Sequence, residues 1–177
     1  MFEPRTIYAK IAFDAILLYM KTGKKIFKDE SEIPTALKLK LPCFVSIYSN
    51  GDLRGRKGSV EPKHNSLYNE IIENAVSSVE ETNKTDPLKE EELDNITLTV
   101  DVLSNPKPVE NKSFLKPGKH GIIIEDDGGK KAFVLPETDG IETVEQQMQA
   151  ARKKAGIDEK VPENELKLLN FTVTKYQ

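Results

Sequence analysis

Residues 53–58, LRGRKG, place three cations among glycines in a short stretch of the chain. Guanidinium groups bind phosphate and carboxylate oxygens in two-point geometry, and a lysine ammonium adds positive charge. Arg54, Arg56 and Lys57 therefore predict a site for an anion, which would be a phosphate, a carboxylate or the backbone of a nucleic acid.

The two glycines of this stretch favour binding through the backbone. Glycine inside a strand or at its end is typical of a bulge or of a close approach by a ligand. We therefore include Gly55 and Gly58 in the predicted ligand-binding set. The alternative interpretation is structural: the charges protect a strand edge from aggregation, and Arg54 forms an ion pair with Asp52, Glu61 or a distant carboxylate.

These residues belong to the second strand of a predicted β-hairpin over Phe44–Pro62. The Asn50-Gly51 dipeptide is a strong signal for a two-residue turn because both residues tolerate positive φ. The expected cross-strand pairs are Ser49–Asp52, Tyr48–Leu53, Ser46–Gly55 and Val45–Arg56. Side chains alternate along a strand, so this register places Arg54 and Arg56 on one face of the hairpin.

Residues 116–121, KPGKHG, form a second candidate site. A histidine beside glycines can act as a general base or donate to an anion near neutral pH. His120 is therefore predicted to bind a ligand or, in an enzyme, to be the acid–base catalyst. The alternative is a turn in which Gly118 and Gly121 adopt positive φ and the imidazole caps a backbone carbonyl.

Other kinds of chemistry have little support in the sequence. His64 precedes a predicted helix, whose dipole disfavours its protonation, so we expect a neutral capping or surface role. Two histidines and one cysteine without clustered carboxylates give no metal motif. The glycine spacings of phosphate-binding loops and dinucleotide sites are missing, so we expect neither a metal nor a cofactor.

Four separated blocks of the sequence resemble one family in order and approximate spacing. They are LRGRKGSVEP, PGKHGIII, KKAFVLP and ARKKAGI. The chain is similar, from about Thr6 to Tyr176, to the AMMECR domain family, which includes protein A of the AmmeMemoRadiSam gene system. The hallmark of this family is a Leu-Arg-Gly-Cys-Ile-Gly motif. The matching positions here are Leu53, Arg54, Gly55 and Gly58.

The chain departs from the family at the motif cysteine. Arg56 stands in place of that cysteine, and Lys57 replaces the isoleucine after it. A nucleophilic motif cysteine therefore has no counterpart unless Cys43, the only cysteine, substitutes for it. The predicted register places Cys43 diagonally from Arg56 on the same face, although a free cysteine is usually a small buried hydrophobe.

Two functions of different classes are consistent with these sites. The first, favoured because the motif cysteine is missing, is a non-enzymatic binding or accessory protein. It would hold a small anionic ligand or a partner at the LRGRKG hairpin and the GKHG loop. The resemblance implies a Memo-type protein and a radical S-adenosylmethionine protein as partners. The alternative is an enzyme acting on a nucleotide, RNA or small metabolite, with His120 as acid–base and Arg54 as electrostatic stabiliser.

The composition is that of a globular protein with a heavily charged surface. Of 177 residues, 37% are hydrophobic and 31% charged, which is enough for one domain with a sizeable core. A net charge of −3 and the lack of tryptophan argue against a nucleic-acid partner. No basic start precedes an apolar run, and no apolar stretch reaches the length of a membrane span. We therefore expect a cytoplasmic protein without membrane contact.

The apolar periodicity predicts three helices among two hairpins and lone strands. The helices are Thr6–Lys21, Asn65 or Ser66 to about Glu81, and Thr143–Ala155. The strands outside the first hairpin are Ile96–Ser104, His120–Glu125, Lys131–Leu135 and Leu168–Tyr176. Strands and helices do not alternate regularly, so we expect an α+β fold: a mainly antiparallel sheet flanked by helices, with a smaller second α/β subdomain.

The resemblance implies a single AMMECR-like domain over residues 1–177, made of two subdomains with both termini in the larger one. Between the predicted elements, Asn105–Pro117 is expected to be a long loop with three prolines. Asp139 and Glu142 have the spacing of a capping box at the start of the third helix.

Overall fold

The computed structural model describes residues 2–80 and 87–177. The chain divides into two compact units, Met1–Leu103 with Thr174–Gln177, and Ser104–Val173. Each unit combines antiparallel strands with helices, which confirms the predicted α+β class. No helix among the described residues is long and apolar enough to cross a membrane.

The first unit contains three antiparallel strands, with β1 between β2 and β3. Their bounds are Cys43–Ser49 for β1, Asp52–Gly58 for β2 and Ile96–Leu103 for β3. The turn between β1 and β2 is made by Asn50, with φ of 52°, and Gly51, with φ of 89°. The positive φ values confirm the predicted hairpin turn.

Two helices of the first unit, α1 (Ile7–Thr22) and α2 (Leu67–Glu80), share a hydrophobic core with the sheet. Oγ1 of Thr6 accepts the N–H of Ala9 at the start of α1, and Oγ of Ser66 accepts the N–H of Asn69 in α2. Both helices confirm the predictions, although Glu81 lies outside the described residues. The strand side chains in this core are Cys43, Val45, Ile47, Ile96, Leu98, Val100 and Val102.

A β-bulge in the hairpin changes the predicted register. Two predicted pairs beside the turn are correct, Ser49–Asp52 and Tyr48–Leu53, but the next pairs are Ile47–Gly55, Ser46–Arg56 and Val45–Lys57. Arg54 is the extra residue of β2, and it shifts every later pair by one position. The predicted pairs Ser46–Gly55 and Val45–Arg56 are therefore wrong.

The bulge also corrects the predicted faces of the hairpin. The regular alternation that would place Arg54 and Arg56 on one face is interrupted at Arg54. Cys43 lies in the core beneath the helices, whereas Arg56 stands opposite Ser46 on the other face of the sheet. A shared face for Cys43 and Arg56 is thus wrong, because one inserted residue moves later side chains of β2 to the opposite face.

The second unit is built around antiparallel strands in the order β4, β7, β5 and β6. Their bounds are Lys107–Pro108 for β4, His120–Glu125 for β5, Lys131–Val134 for β6 and Lys167–Tyr176 for β7. Helix α3 (Val144–Ala155) packs with the sheet around Ile122, Ile124 and Met148. The end of β7 returns the chain to the first unit.

Two local predictions in the second unit need correction. The predicted loop Asn105–Pro117 contains the short strand β4, which the prolines conceal in the sequence. The capping box of α3 is formed by Thr143 and Gln146 rather than by Asp139 and Glu142. The five short 3₁₀ helices of the described chain are Glu30–Glu32, Thr35–Leu37, Glu90–Asn95, Lys112–Phe114 and Glu163–Glu165.

Candidate functional site

Arg54 is the bulged residue of β2, and its side chain binds a segment of the first unit that is distant in sequence. Its Nε donates to Oε1 of Glu92 at 2.9 Å, and its Nη2 donates to Oε2 of Glu92 at 3.1 Å and to the carbonyl of Pro87 at 3.0 Å. Arg54 is only 4% exposed. These contacts match the structural alternative of an ion pair with a distant carboxylate, and a ligand contact of Arg54 stays a prediction.

Arg56 spans the sheet from β2 to β3. Its guanidinium carbon lies 5.1 Å from the ring centroid of Phe44 on β1, and its Nη2 lies 3.2 Å from Oδ2 of Asp101 on β3. The side chain of Arg56 is 32% exposed, whereas that of Asp101 is 8% exposed. Arg56 therefore presents positive charge at the edge of a patch whose carboxylate is buried.

Four side chains form one polar patch on the sheet, which we call the polar face: Ser46, Arg56, Thr99 and Asp101. Ser46 stands opposite Arg56 on one side and opposite Thr99 on the other. Asp101 follows Thr99 by two residues and thus points to the same side of the strand. The polar face lies on the opposite side of the sheet from the helix-packed core.

Each member of the polar face carries a buried polar atom that lacks a hydrogen-bond partner among the described residues. These atoms are Oγ of Ser46, Nε of Arg56, Oγ1 of Thr99 and Oδ1 of Asp101. A buried polar group without a partner costs about 1–3 kcal/mol, and native proteins contain only a few such groups. Four in adjoining positions indicate a functional site more than a packing error.

Burial raises the pKa of Asp101, while the positive charges of Lys175 and Arg56 lower it. The net direction is upward, because removing a carboxylate from water disfavours its charged form. A perturbed pKa at a polar site is a common property of functional residues. The polar face thus combines a buried carboxylate with a partly exposed guanidinium.

The two predicted glycines of the LRGRKG segment are packed against β1. Gly55 is buried opposite Ile47. A Cβ on Gly58 would lie 2.3 Å from the carbonyl oxygen of Cys43 and 2.6 Å from Cα of Phe44. Close strand packing therefore explains the need for glycine at position 58, and ligand binding by either glycine stays a prediction.

Cys43 has the properties of a structural cysteine. It is fully buried, and Nδ2 of Asn74 lies 3.5 Å from its Sγ and donates to its carbonyl at 3.1 Å. Burial raises the pKa of the thiol to about 12. Since the thiolate is the reactive form of cysteine, these properties argue against Cys43 as a substitute for the nucleophile missing at position 56.

His120 begins β5 in the second unit, in a turn closed by its own imidazole. Its Nδ1 accepts the backbone N–H of Lys116 at 3.1 Å, and its backbone N–H donates to the carbonyl of Lys116 at 2.7 Å. Burial lowers the pKa of His120, and the nearby charges of Lys119 and Lys116 lower it further. The neutral ring therefore carries its proton on Nε2.

The turn before β5 differs from the structural alternative predicted for it, in which the glycines beside His120 have positive φ. Neither Gly118 nor Gly121 has positive φ, and the imidazole accepts from an amide rather than capping a carbonyl. A Cβ on Gly121 would lie 2.3 Å from the ring of Phe171, so glycine is needed there for packing. His120 and the LRGRKG segment belong to different units, and a ligand-binding role for His120 stays a prediction.

His64 lies in the first unit before α2. Its ring centroid is 4.8 Å from that of Phe27, its Nε2 is 3.8 Å from Oε2 of Glu73, and its backbone N–H donates to Glu70. These contacts anchor the loop that leads into α2. Over residues 2–80 and 87–177, no three potential metal-ligating side chains come together.

Sequence reasoning missed three residues of the polar face: Ser46, Thr99 and Asp101. A signal was present in the strand Ile96–Leu103, because an aspartate in the middle of a strand is unusual when neither edge nor turn explains it. The pairing of β1 with β3 brings this aspartate close to Arg56, and that pairing has no local signature in the sequence.

The fold and the polar face define an α+β protein with an arginine–aspartate pair on the sheet of its first unit. A family model described as AMMECR1 matches residues 9–176. The chain therefore belongs to the AMMECR1 family, as the resemblance of its sequence blocks predicted.

Relatives and a solved structure agree with this assignment. A Thermotoga maritima protein is 36% identical over 171 residues, covering 96% of this chain and 97% of that protein. Protein CA_C1420 of Clostridium acetobutylicum is 32% identical over 96% of this chain but only 36% of its own length. The crystal structure of uncharacterized protein PH0010 from Pyrococcus horikoshii matches with a TM-score of 0.77 and 27% identity, covering 95% and 88% of the two chains.

Proposed function

We propose that this AMMECR1-family protein is a non-enzymatic binding or accessory protein that holds the anionic group of a ligand at Arg56. The supporting observation is that Arg56 is 32% exposed and has a buried Nε without a hydrogen-bond partner among the described residues. Phe44 and Asp101 fix the guanidinium in place. A fixed guanidinium with a spare donor binds carboxylate or phosphate oxygens at a low cost in side-chain entropy.

The position of Arg56 in the family motif adds to this proposal. The residue that replaces the motif cysteine is the one that pairs with the buried carboxylate of Asp101. Full burial and a raised pKa argue against Cys43 as a substitute for the missing thiol. Binding by charge and hydrogen bonds is therefore the chemistry available at this motif.

The protonation of His120 supports binding over acid–base catalysis. A general base needs a free lone pair, but Nδ1 of His120 already accepts the N–H of Lys116. The other ring nitrogen, Nε2, carries the proton of the neutral ring and is suited to donate to an anion. His120 is thus proposed as a second donor for an anionic ligand, independent of Arg56.

The accessory role includes the partners implied by the family resemblance, a Memo-type protein and a radical S-adenosylmethionine protein. Sedimentation of the purified chain with each partner tests this part. A complex that Arg56→Gln weakens would place the contact at the polar face. A complex indifferent to Arg56→Gln would separate partner binding from the anion site, and the lack of any complex would contradict the partner proposal.

A thermal-shift and calorimetric screen tests the anion site. The panel contains inorganic phosphate, succinate, AMP, S-adenosylhomocysteine and a short single-stranded RNA. A ligand at about 100 times its dissociation constant adds about 2.7 kcal/mol to stability. We expect a shift with one class of anion that Arg56→Gln removes and Arg56→Lys reduces.

The control variant is Lys10→Gln, because Lys10 is an exposed cation whose ion pair with Asp14 lies one helix turn away on α1. It should leave the ligand shift unchanged. Arg54→Ala is not a suitable test, since it also removes the buried contacts of Arg54 with Glu92 and Pro87. A flat response across the panel, or a response that Arg56→Gln retains, would contradict the anion site.

A further inference from the structure

We infer that the polar face recognises the α-amino acid group, with Arg56 binding the carboxylate and Asp101 binding the ammonium. The inference rests on the proposed function and narrows its ligand class to free amino acids and molecules that carry the same pair of groups. The observation behind it is that the Arg56–Asp101 pair leaves one donor, Nε of Arg56, and one acceptor, Oδ1 of Asp101, without partners among the described residues.

The ion pair uses only one atom of each side chain. Nη2 of Arg56 contacts Oδ2 of Asp101 at 3.2 Å. Nε of Arg56 and Oδ1 of Asp101 are buried and have no hydrogen-bond partner among the described residues. The pair therefore leaves one donor on Arg56 and one acceptor on Asp101 without partners, with positive charge at the first and negative charge at the second.

Charge balance distinguishes between classes of ligand. A simple anion at Nε would gain from Arg56 but would be repelled by the neighbouring carboxylate of Asp101. A simple cation would be attracted by Asp101 but repelled by Arg56 and by Lys175, whose positive charge also acts on Asp101. A molecule with a carboxylate beside an ammonium satisfies both atoms and adds no net charge to the buried patch.

The hydroxyls of Ser46 and Thr99 add two further polar groups to the same site. Ser46 and Thr99 stand opposite each other on β1 and β3, and their oxygens are buried without partners in the described part of the chain. A hydroxyl can donate to a carboxylate or accept from an ammonium. Directly opposite side chains on antiparallel strands are about 4.5–5.5 Å apart at Cβ, so one small polar group can contact both.

The experiment compares pairs of compounds that differ only in the amine. Glutamate is paired with glutarate and alanine with propionate, within a calorimetric panel of the twenty free amino acids. We expect at least one amino acid to bind about tenfold more tightly than its partner without the amine. The isosteric Asp101→Asn variant should remove this difference, because the amide keeps the shape but loses the charge.

The outcomes separate this inference from the proposed function. Equal binding of an amino acid and its matched acid, both sensitive to Arg56→Gln, would overturn the amino-acid inference and leave the anion site intact. If no amino acid binds but phosphate or AMP does, the amino-acid inference is again overturned and the anion site again stands. If none of the compounds binds, both the amino-acid inference and the anion site are overturned.

A second variant separates a binding role of the hydroxyls from a structural one. Ser46→Ala with Thr99→Val removes both oxygens at nearly constant volume. In ligand-free protein we expect the melting temperature to rise, because two unsatisfied groups are gone, while the amino-acid shift falls. A lower melting temperature with an unchanged ligand shift would show that the hydroxyls serve the fold, and would contradict their role in binding.

Discussion

Arg54 and Glu92 form a two-point ion pair across 38 residues of sequence, with the Nε–Oε1 contact at 2.9 Å and the Nη2–Oε2 contact at 3.1 Å. The guanidinium is buried, and the carboxylate is 27% exposed. The same arginine also binds the carbonyl of Pro87. This relationship gives the family-motif arginine a structural task, separate from the position of Arg56 on the polar face.

Arg54→Ala should destabilise the protein by about 2–4 kcal/mol, because it removes the buried guanidinium that donates to Glu92 and to the carbonyl of Pro87. Urea unfolding measures this change. Lys10→Ala breaks an exposed pair with Asp14 and should cost no more than about 0.5 kcal/mol. A loss of similar size in both variants would contradict the structural role of Arg54.

Local signals were sufficient to predict much of the fold. The apolar periodicity of the helices and the Asn50-Gly51 turn between the strands each act within a few residues, so their effects follow from sequence alone. The bulge at Arg54 was harder to predict. Glycine at position 55 indicated an irregular strand, but the partner that holds Arg54 lies on a segment far along the chain.

The polar face shows where sequence reasoning ends. The sequence singled out Arg56 as the cation that stands in place of the motif cysteine, but it did not identify Asp101 as its partner. Their proximity depends on β1 lying between β2 and β3, and strand order is a long-range property. Ser46 was equally hidden, because a serine in a strand has no distinctive pattern until its neighbours are known.

Cys43 should resist alkylation in the folded protein. Its pKa of about 12 leaves almost no thiolate at pH 8, and its side chain is fully buried. Mass spectrometry after iodoacetamide treatment should find no adduct under native conditions and complete labelling in urea. Rapid labelling of the native protein, with its circular dichroism unchanged, would contradict the assignment of Cys43 as a structural residue.

Gly121→Ala should destabilise the protein by about 1–3 kcal/mol, the usual cost of overpacking a core. The new Cβ would lie 2.3 Å from the ring of Phe171. Gly118→Ala is the matched control in the same turn, because no atom lies within 4 Å of its Cβ position. Thermal unfolding compares the two variants, and equal melting temperatures would show that the ring moves aside without cost.

His120 should titrate below the usual value of 6.5, since burial and then the charges of Lys119 and Lys116 lower its pKa. The unfolded chain binds a proton more readily, so this histidine makes stability rise with pH between the lowered value and 6.5. NMR of the imidazole nitrogens measures the midpoint and should find the proton on Nε2. Lys119→Gln should raise the midpoint, and an unchanged midpoint would exclude Lys119 as a cause.

Asp101 should have the opposite effect to His120: at lower pH, its contribution to stability should fall as the pH rises. Its pKa in the folded protein is raised by burial, so the folded state holds the proton more tightly than the unfolded chain. Its contribution to stability therefore falls as pH rises from the unfolded value near 3.9 through the raised value. The difference in unfolding free energy between the natural protein and Asp101→Asn should decrease over this interval. A constant difference across this interval would mean that burial at the polar face does not raise the pKa of Asp101.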